Sequence, residues 1–197
     1  MKIIIDSNEA KMSSLGDFHQ TPEIDDFGVW LPINVNQQRK SRWCWAAIAS
    51  AVGSYYQTDT IEQEELVEQL LEGISHDEEL YSKDEIKEQN VNFKLDKALK
   101  YVNSFSHLKL GKPIMERIQF EINQGRPFGV RIEWFKGGAH YVLVKGYNAE
   151  DGSLFIEDSL HGSSVQPYNQ FPDEYREGGA VWTETYWTNK LITQKTN

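Results

Sequence analysis

The sequence is organised around one stretch, Gln37-Gln38-Arg39-Lys40-Ser41-Arg42-Trp43-Cys44-Trp45-Ala46-Ala47, which contains the only cysteine of the chain. From Trp43 to Val52 nearly every residue is apolar or small, which predicts a helix that is buried on all sides. With Ser41 as its cap, Cys44 falls in the first helical turn, where free N–H groups and the helix dipole favour a thiolate. At this point the sequence leaves two interpretations of Cys44, a catalytic nucleophile and a small buried apolar residue.

The composition predicts a globular protein whose fold is held by packing. The chain has 197 residues, a formal net charge of −10, six tryptophans, nine tyrosines and nine phenylalanines. The negative charge argues against nucleic acid or an anionic membrane surface as the main partner. One cysteine excludes an internal disulfide, and the histidines and cysteine show no metal-ligand spacing, so we expect no metal and no cofactor.

The sequence carries no recognisable targeting segment. The apolar run Ile3-Ile4-Ile5 is too short for a secretory signal, and no apolar span of 18 residues follows. We therefore expect a cytoplasmic protein, or one secreted by a route that needs no signal. Residues 1–26 are polar and predict an N-terminal extension, and residues 27–197 predict a single domain. The oligomeric state is not predicted.

Helical patterns precede strand patterns along the chain. Beyond the central helix, capping signals and apolar spacing predict helices over 60–72, 93–102 and 113–124. Short runs rich in β-branched and aromatic residues predict an edge strand within 27–35 and strands at 128–134, 139–147, 153–158 and 180–187. This order predicts an α+β fold with a helical half, an antiparallel β half and a groove between them.

His140 is the best candidate for the base that a cysteine nucleophile needs. The other four histidines lie in polar, linker or turn sequence, whereas His140 opens a strand of alternating pattern. A hairpin register that pairs Val144 with Leu154 places His140 opposite Asp158, with the two side chains on one face about 5 Å apart. The carboxylate would then orient the imidazole. A structural histidine and a solvated aspartate at a strand end are the alternatives.

Attack on a carbonyl also requires donors for the oxyanion. The N–H of Cys44 at the helix start is one candidate. The side chain of Gln38, six residues upstream of Cys44, is another, and Gln37 is its rival.

Together these residues resemble the papain-like cysteine peptidases. The order is Gln38, then Trp43-Cys44-Trp45-Ala46-Ala47, then the segment from Gly138 to Tyr147, then Asp158. The chain is similar in particular to the small bacterial branch that includes the leader peptidases cutting after double glycine and the avirulence-effector proteases of plant pathogens. It departs from that branch at Ser159, where proline is common.

The resemblance implies a thiol peptidase in which Cys44 is the nucleophile, His140 the base and then acid, Asp158 the orienting residue and Gln38 an oxyanion donor. It also implies a protein or peptide substrate. One alternative is a cysteine-dependent acyltransferase or deamidase acting on a protein, and another is an inactive module that binds through the same fold. A decayed site would be expected to lose at least one of the four residues.

The resemblance further implies a preference for glycine before the scissile bond. A narrow cleft with tryptophan walls such as Trp45 and Trp134 would exclude larger side chains there. Residues Phe27-Gly28-Val29-Trp30 resemble the Phe-Gly-any-Trp core at which the avirulence-effector proteases cut. Scission after Gly28 is one interpretation, and a protected bond at the start of a folded strand is the stronger one.

Overall fold

The structure is a computed structural model, and it describes residues 21–25, 28–57, 60–72 and 83–190. The helices in this part of the chain are α1 (Cys44–Tyr56), α2 (Gln63–Glu72), α3 (Lys83–Lys87), α4 (Leu95–Tyr101) and α5 (Met115–Asn123). The strands are β1 (Glu23–Asp25), β2 (Gly28–Trp30), β3 (Phe105–Leu110), β4 (Phe128–Trp134), β5 (Ala139–Asn148), β6 (Ser153–Glu157), β7 (Ser164–Pro167) and β8 (Ala180–Thr188).

The strands form one antiparallel sheet of eight strands in which β5 is central. The pairing runs β1-β2-β5-β4-β8-β3, and β6 pairs with both β5 and β7. β4 pairs with the first half of β5, while β2 pairs with Gly146 and Tyr147 near its end. Gly146 makes the β2 contact possible, because a Cβ there would lie 2.6 Å from the carbonyl oxygen of Val29.

α1 lies in the middle of the hydrophobic core. All but two of its residues are buried, and Trp45, Ile48 and Val52 are completely so. The prediction of a helix without a solvent face is therefore confirmed. Ser41 is not its cap: the helix begins at Cys44, the preceding Trp43 makes no capping hydrogen bond with its side chain, and the Ser41 hydroxyl accepts from Asn90 Nδ2 at 3.0 Å instead.

The α+β prediction is confirmed, but the strands do not all follow the helices in the sequence. The sheet recruits β1 and β2 from before the first helix and β3 from between α4 and α5. His107, which was expected to lie in a linker, belongs to β3, because exposed polar positions hide the pairing with β8 that makes this segment a strand. β2 lies between β1 and β5, so the expected edge strand is an inner one.

The predicted domain boundary, between residues 26 and 27, falls between β1 and β2. Residues 1–20 of the expected extension lie outside the described residues, and β1, which belongs to the expected extension, pairs with β2. Within the described ranges, no helix has both the length and the apolar character required to cross a membrane.

Candidate active site

Cys44 is the first residue of α1, and a tight turn leads into it. The side chain is nearly buried, with 8% of the residue exposed. The Trp43 N–H donates to Lys40 O at 3.1 Å, and the turn is held from outside by residues 89–90: Trp43 Nε1 donates to Gln89 O at 2.6 Å, and the Arg42 N–H donates to Asn90 Oδ1 at 3.1 Å. Cys44 therefore sits at the helix N-terminus, as the sequence predicts.

His140 is the second residue of β5, directly after a turn that uses two glycines in the left-handed region, Gly137 with φ 95° and Gly138 with φ 86°. The ring is buried, with 5% of the residue exposed, and stacks on Trp134 at a centroid distance of 6.3 Å and an interplanar angle of 19°. Nε2 lies 2.8 Å from Asp158 Oδ1. Nδ1 is then the nitrogen left for the Cys44 thiol, whose proximity raises the pKa of the imidazole.

The hairpin register that was predicted for Asp158 is wrong by two residues. Val144 pairs with Ile156, so the pairing, continued one residue past β6, places Asp158 opposite Val142 and diagonal to His140. At the turn, where Tyr147 pairs with Leu154, the register differs from the predicted one by three residues, and a β-bulge between Val144 and Gly146 reduces the difference to two.

The bulge also decides which face of the sheet Asp158 occupies. Near the turn Tyr147 pairs with Leu154, and that register continued without a bulge would place Asp158 opposite Leu143, on the face away from His140. The extra residue, Lys145, shifts the pairing by one and returns Asp158 to the face of His140. The observed register differs from the predicted one by two residues, and a shift by an even number keeps a side chain on the same face. Asp158 therefore still contacts His140, as predicted.

Both carboxylate oxygens of Asp158 are hydrogen-bonded. Oδ1 accepts from His140 and from the backbone N–H groups of Leu160 at 2.8 Å and His161 at 3.1 Å. Oδ2 accepts from the Tyr175 hydroxyl at 2.8 Å. With 1% of the residue exposed, Asp158 is held as a buried acceptor in a turn that immediately follows β6.

The electrostatics favour a charged pair between these two groups. Burial alone would lower the pKa of His140, but the hydrogen bond with Asp158 and the interaction with Cys44 outweigh it and raise the pKa to about 9. Burial would likewise raise the pKa of Asp158, and the hydrogen bond and charge of His140, with the Leu160 N–H and the Tyr175 hydroxyl, lower it to about 2. At neutral pH the imidazole is therefore protonated and presents a cation to Cys44.

The two candidates for the oxyanion donor differ in burial, since Gln38 is buried and Gln37 is exposed. Gln38 is tied to the residue after Asp158: its N–H donates to Ser159 O at 3.0 Å, and its Oε1 accepts from the Ser159 hydroxyl at 3.0 Å. Its Nε2 donates to Lys40 O at 2.9 Å and Ser41 O at 2.8 Å, in the turn before Cys44. The side chain thus bridges the nucleophile turn and the Asp158 turn.

A cavity of about 780 Å³ is lined in part by Trp134 and His161, whose rings lie near that of His140. Its lining includes Trp134, whose ring covers the imidazole, together with the cationic residues Lys136 and Arg176. The expectation that Trp45 walls the cleft is wrong. One residue along the helix from Cys44, Trp45 faces the core, is fully buried, packs on Phe93 and donates from Nε1 to Val91 O at 3.0 Å.

The comparison with known families decides the identity. A family profile described as "Papain-like cysteine protease AvrRpt2" matches residues 28–176. The chain belongs to this family. It is a papain-like cysteine protease, and the match spans Gln38, Cys44, His140 and Asp158.

No curated protein matches this cysteine protease. Among solved structures, the chain is similar to a double glycine motif protease from an AMS/PCAT transporter, determined in complex with the leader peptide. The two share 17% sequence identity at a TM-score of 0.47, and the alignment covers 86% of this chain and 99% of the other.

Sequence reasoning missed several residues around the site. Tyr175 contacts Asp158 from a loop that carries no motif, so only the fold reveals it. Ser159 was noted as a departure from the family pattern, and its hydroxyl is a partner of Gln38. His161 was expected to be a surface residue; it is exposed, and its ring also lies 6.4 Å from that of His140. In the part of the chain that the structure describes, no group of three or more His, Cys, Asp or Glu is arranged to hold a metal.

Proposed function

We propose that this cysteine protease hydrolyses peptide bonds with Cys44 as nucleophile, His140 as general base and acid, and Asp158 as the residue that orients His140. The observation that carries the proposal is the distance of 2.8 Å between His140 Nε2 and Asp158 Oδ1, together with the effect of Cys44 on the same imidazole, whose pKa it raises. A nucleophile, a base and a third group that orients the base are the parts that such catalysis requires.

In this mechanism the Cys44 thiolate, formed by proton transfer to His140, attacks the carbonyl carbon of the scissile bond. The C–N bond breaks, the imidazolium gives its proton to the leaving amine, and the acyl group remains on sulfur as a thioester. His140 then takes a proton from water, which attacks the thioester and releases the acid. Asp158 stays ionised throughout, since its pKa of about 2 lies far below neutral pH.

We propose two donors for the oxyanion. As the first residue of α1, Cys44 has a backbone N–H without an acceptor inside the helix. Gln38 Nε2 is the second donor, and a substrate carbonyl oxygen takes over one of the hydrogens now shared with Lys40 O and Ser41 O. Ser159 supports this role, because its hydroxyl holds Gln38 Oε1 and thereby fixes which end of the amide faces the nucleophile turn.

The substrate we propose is a protein or peptide with glycine on the acyl side of the scissile bond, the preference that the family resemblance implies. The chain's own Gly28–Val29 bond is a poor substrate on physical grounds. It lies in β2, whose residues pair with β1 on one side and β5 on the other, so cleavage requires both pairings to open. We therefore expect purified protein to keep its full mass.

The test compares wild-type protein with Cys44→Ala on peptides that contain a Phe-Gly sequence and on matched peptides in which alanine replaces the glycine. We expect new N-termini after glycine with the wild type only. New acyl-amine products without hydrolysis would instead favour acyl transfer, and binding without any product would favour an inactive module. Equal cleavage after alanine would remove the glycine preference and leave the peptidase.

The oxyanion assignment has its own pair of variants. Gln38→Ala should lower kcat by about 10²- to 10³-fold, because one preorganised donor is lost, while alkylation of Cys44 by iodoacetamide continues at the wild-type rate. Gln37→Ala is the matched control, since that side chain is exposed. A larger loss of kcat in Gln37→Ala would move the oxyanion hole by one residue.

A further inference from the structure

Tyr175 contacts the site from behind Asp158. Only 1% of the residue is exposed, and its hydroxyl donates to Asp158 Oδ2 at 2.8 Å. The other carboxylate oxygen, Oδ1, is the one that faces His140. A carboxylate held at one oxygen alone can rotate about its Cβ–Cγ bond, whereas donors on both oxygens fix its plane.

The neighbouring Arg176 sets the direction of that hydroxyl. Arg176 Nη2 donates to the Tyr175 oxygen at 3.2 Å, and the guanidinium lies over the ring at 4.8 Å. Because Arg176 has no acceptor atom, the Tyr175 hydroxyl must receive this bond and use its own hydrogen for Asp158. Arg176 has φ 57°, a left-handed conformation that is uncommon for arginine and is often found at functional sites.

The plane of the tyrosine ring is fixed as well. Trp134 stacks on Tyr175 at a centroid distance of 6.0 Å and an interplanar angle of 8°, and on His140 at 6.3 Å. Phe171 contacts the Tyr175 ring edge-on at 5.0 Å. The same tryptophan thus contacts both rings whose polar atoms bind Asp158.

We propose that Tyr175 is a positioning residue for catalysis: it holds the second oxygen of Asp158 and so keeps the first directed at His140, with Arg176 orienting the hydroxyl. Tyr175 does not touch the reacting atoms and acts only through Asp158. This inference rests on the proposed function, because it needs the Cys44, His140 and Asp158 roles given above.

The test is Tyr175→Phe, which keeps the stacked ring and removes the hydroxyl. We expect kcat to fall by about 10- to 100-fold, the size of a lost hydrogen bond to a buried charge, with KM unchanged. The acid limb of the pH profile should move upward, because Asp158 loses a donor that lowers its pKa. The groups that titrate or carry charge around Asp158 are His140, Cys44, His161 and Arg176, and all remain in this variant.

Tyr147→Phe is the matched control. Tyr147 is also buried and also donates to a side chain, Asn123 Oδ1 at 2.9 Å, but it lies at the far end of β5 from His140. It should leave kcat and the pH profile as in wild type. A purely structural role for Tyr175 predicts a lower melting temperature with an unmoved acid limb, and that result would overturn the proposal.

A double mutant separates this inference from the proposed function. In an Asp158→Ala background, Tyr175→Phe should have no further effect on kcat, because the residue through which it acts is gone. If wild type cleaves and Cys44→Ala does not, yet Tyr175→Phe matches wild type, the inference about Tyr175 fails alone. If wild type shows no Cys44-dependent cleavage, the proposed function fails.

A fluorinated tyrosine covers the case in which the phenylalanine variant does not fold. 3-Fluorotyrosine at position 175 keeps the hydroxyl and makes it a stronger donor, so the acid limb should move downward. An acid limb at the wild-type position in that protein would also overturn the proposal.

Discussion

Glu157 and Asp158 are neighbours in sequence and almost equally buried, at 2% and 1% exposed, but they face opposite sides of the β5–β6 hairpin. Asp158 meets an imidazole. Glu157 meets Lys145, whose Nζ lies 2.6 Å from Glu157 Oε1. An imidazole can accept and donate a proton in catalysis, whereas the lysine ammonium forms an ion pair with the carboxylate.

The contacts of Glu157 are those of a structural ion pair. Besides Lys145, its carboxylate accepts from the Ser163 hydroxyl at 2.6 Å and from the Val35 N–H at 3.2 Å. Lys145 also donates to Ile33 O at 3.2 Å. This pair therefore fastens the segment 33–35, which leads to Gln38, onto the sheet.

The difference teaches that burial alone does not identify a functional carboxylate in this protein. Both carboxylates are desolvated, and both are satisfied by several donors. Of the two, Asp158 has an imidazole as its partner, and Cys44, the proposed nucleophile, raises the pKa of that imidazole. The identity of the partner, and the face of the hairpin that selects it, decide the role.

Asp158→Ala should have the largest effect on turnover in this comparison. Without the carboxylate the imidazolium is neither oriented nor stabilised, so we expect kcat to fall by about 10²- to 10⁴-fold. Alkylation of Cys44 at mildly acidic pH should slow as well. Asp96→Ala is the control, because Asp96 pairs with Lys100 on the surface of α4. A wild-type rate of alkylation in Asp158→Ala would contradict the assignment.

The dependence of activity on pH should also distinguish the His140–Asp158 pair from the Lys145–Glu157 pair. Activity that depends on the His140 imidazolium should decline about tenfold per pH unit above a pKa of about 9.

The His140–Asp158 pair also contributes to the stability of the fold in two ranges of pH. The raised pKa of His140 contributes below about 6.5, and this part is lost as pH rises towards 9; the lowered pKa of Asp158 contributes above about 4, and this part is lost as pH falls towards 2. Measured rates and denaturation midpoints across pH 2 to 10 check both limbs, and His140→Ala should abolish the loss of stability between about 6.5 and 9.

Glu157→Gln should have the smallest effect on turnover and a clear effect on stability. It leaves the largely buried Lys145 ammonium without its charge partner, which we expect to cost about 1–3 kcal/mol and to lower the melting temperature by several degrees. kcat should stay within about tenfold of wild type. Glu133→Gln is the control, because Glu133 is half exposed in its pair with Arg131 and should change stability by less than about 1 kcal/mol. A loss of kcat as large as that of Asp158→Ala would show that the two carboxylates do not differ in role.

Several elements and positions could be predicted from the sequence because their signals are local. The apolar run after Trp43 predicts a buried helix, and the alternation after Gly138 predicts β5, so Cys44 and His140 were both located on the correct element. β3 and β7 were missed, since each is a short strand defined by its pairing partner. Trp45 was misplaced because a helix buried on all sides has no periodic signal that shows which of its residues face the cleft.

The sequence by itself determined most of the element types and the chemistry available at Cys44, His140, Asp158 and Gln38, since residue identity and periodicity are properties of the chain. Only the tertiary structure decided how these groups meet. The bulge at Lys145 selects the face of Asp158, Tyr175 occupies its second oxygen, and Ser159 binds the buried side chain of Gln38, whereas Gln37 is exposed. The physical reason is that hydrogen-bond partners distant in sequence, and the parity of a strand register, depend on contacts that no local pattern encodes.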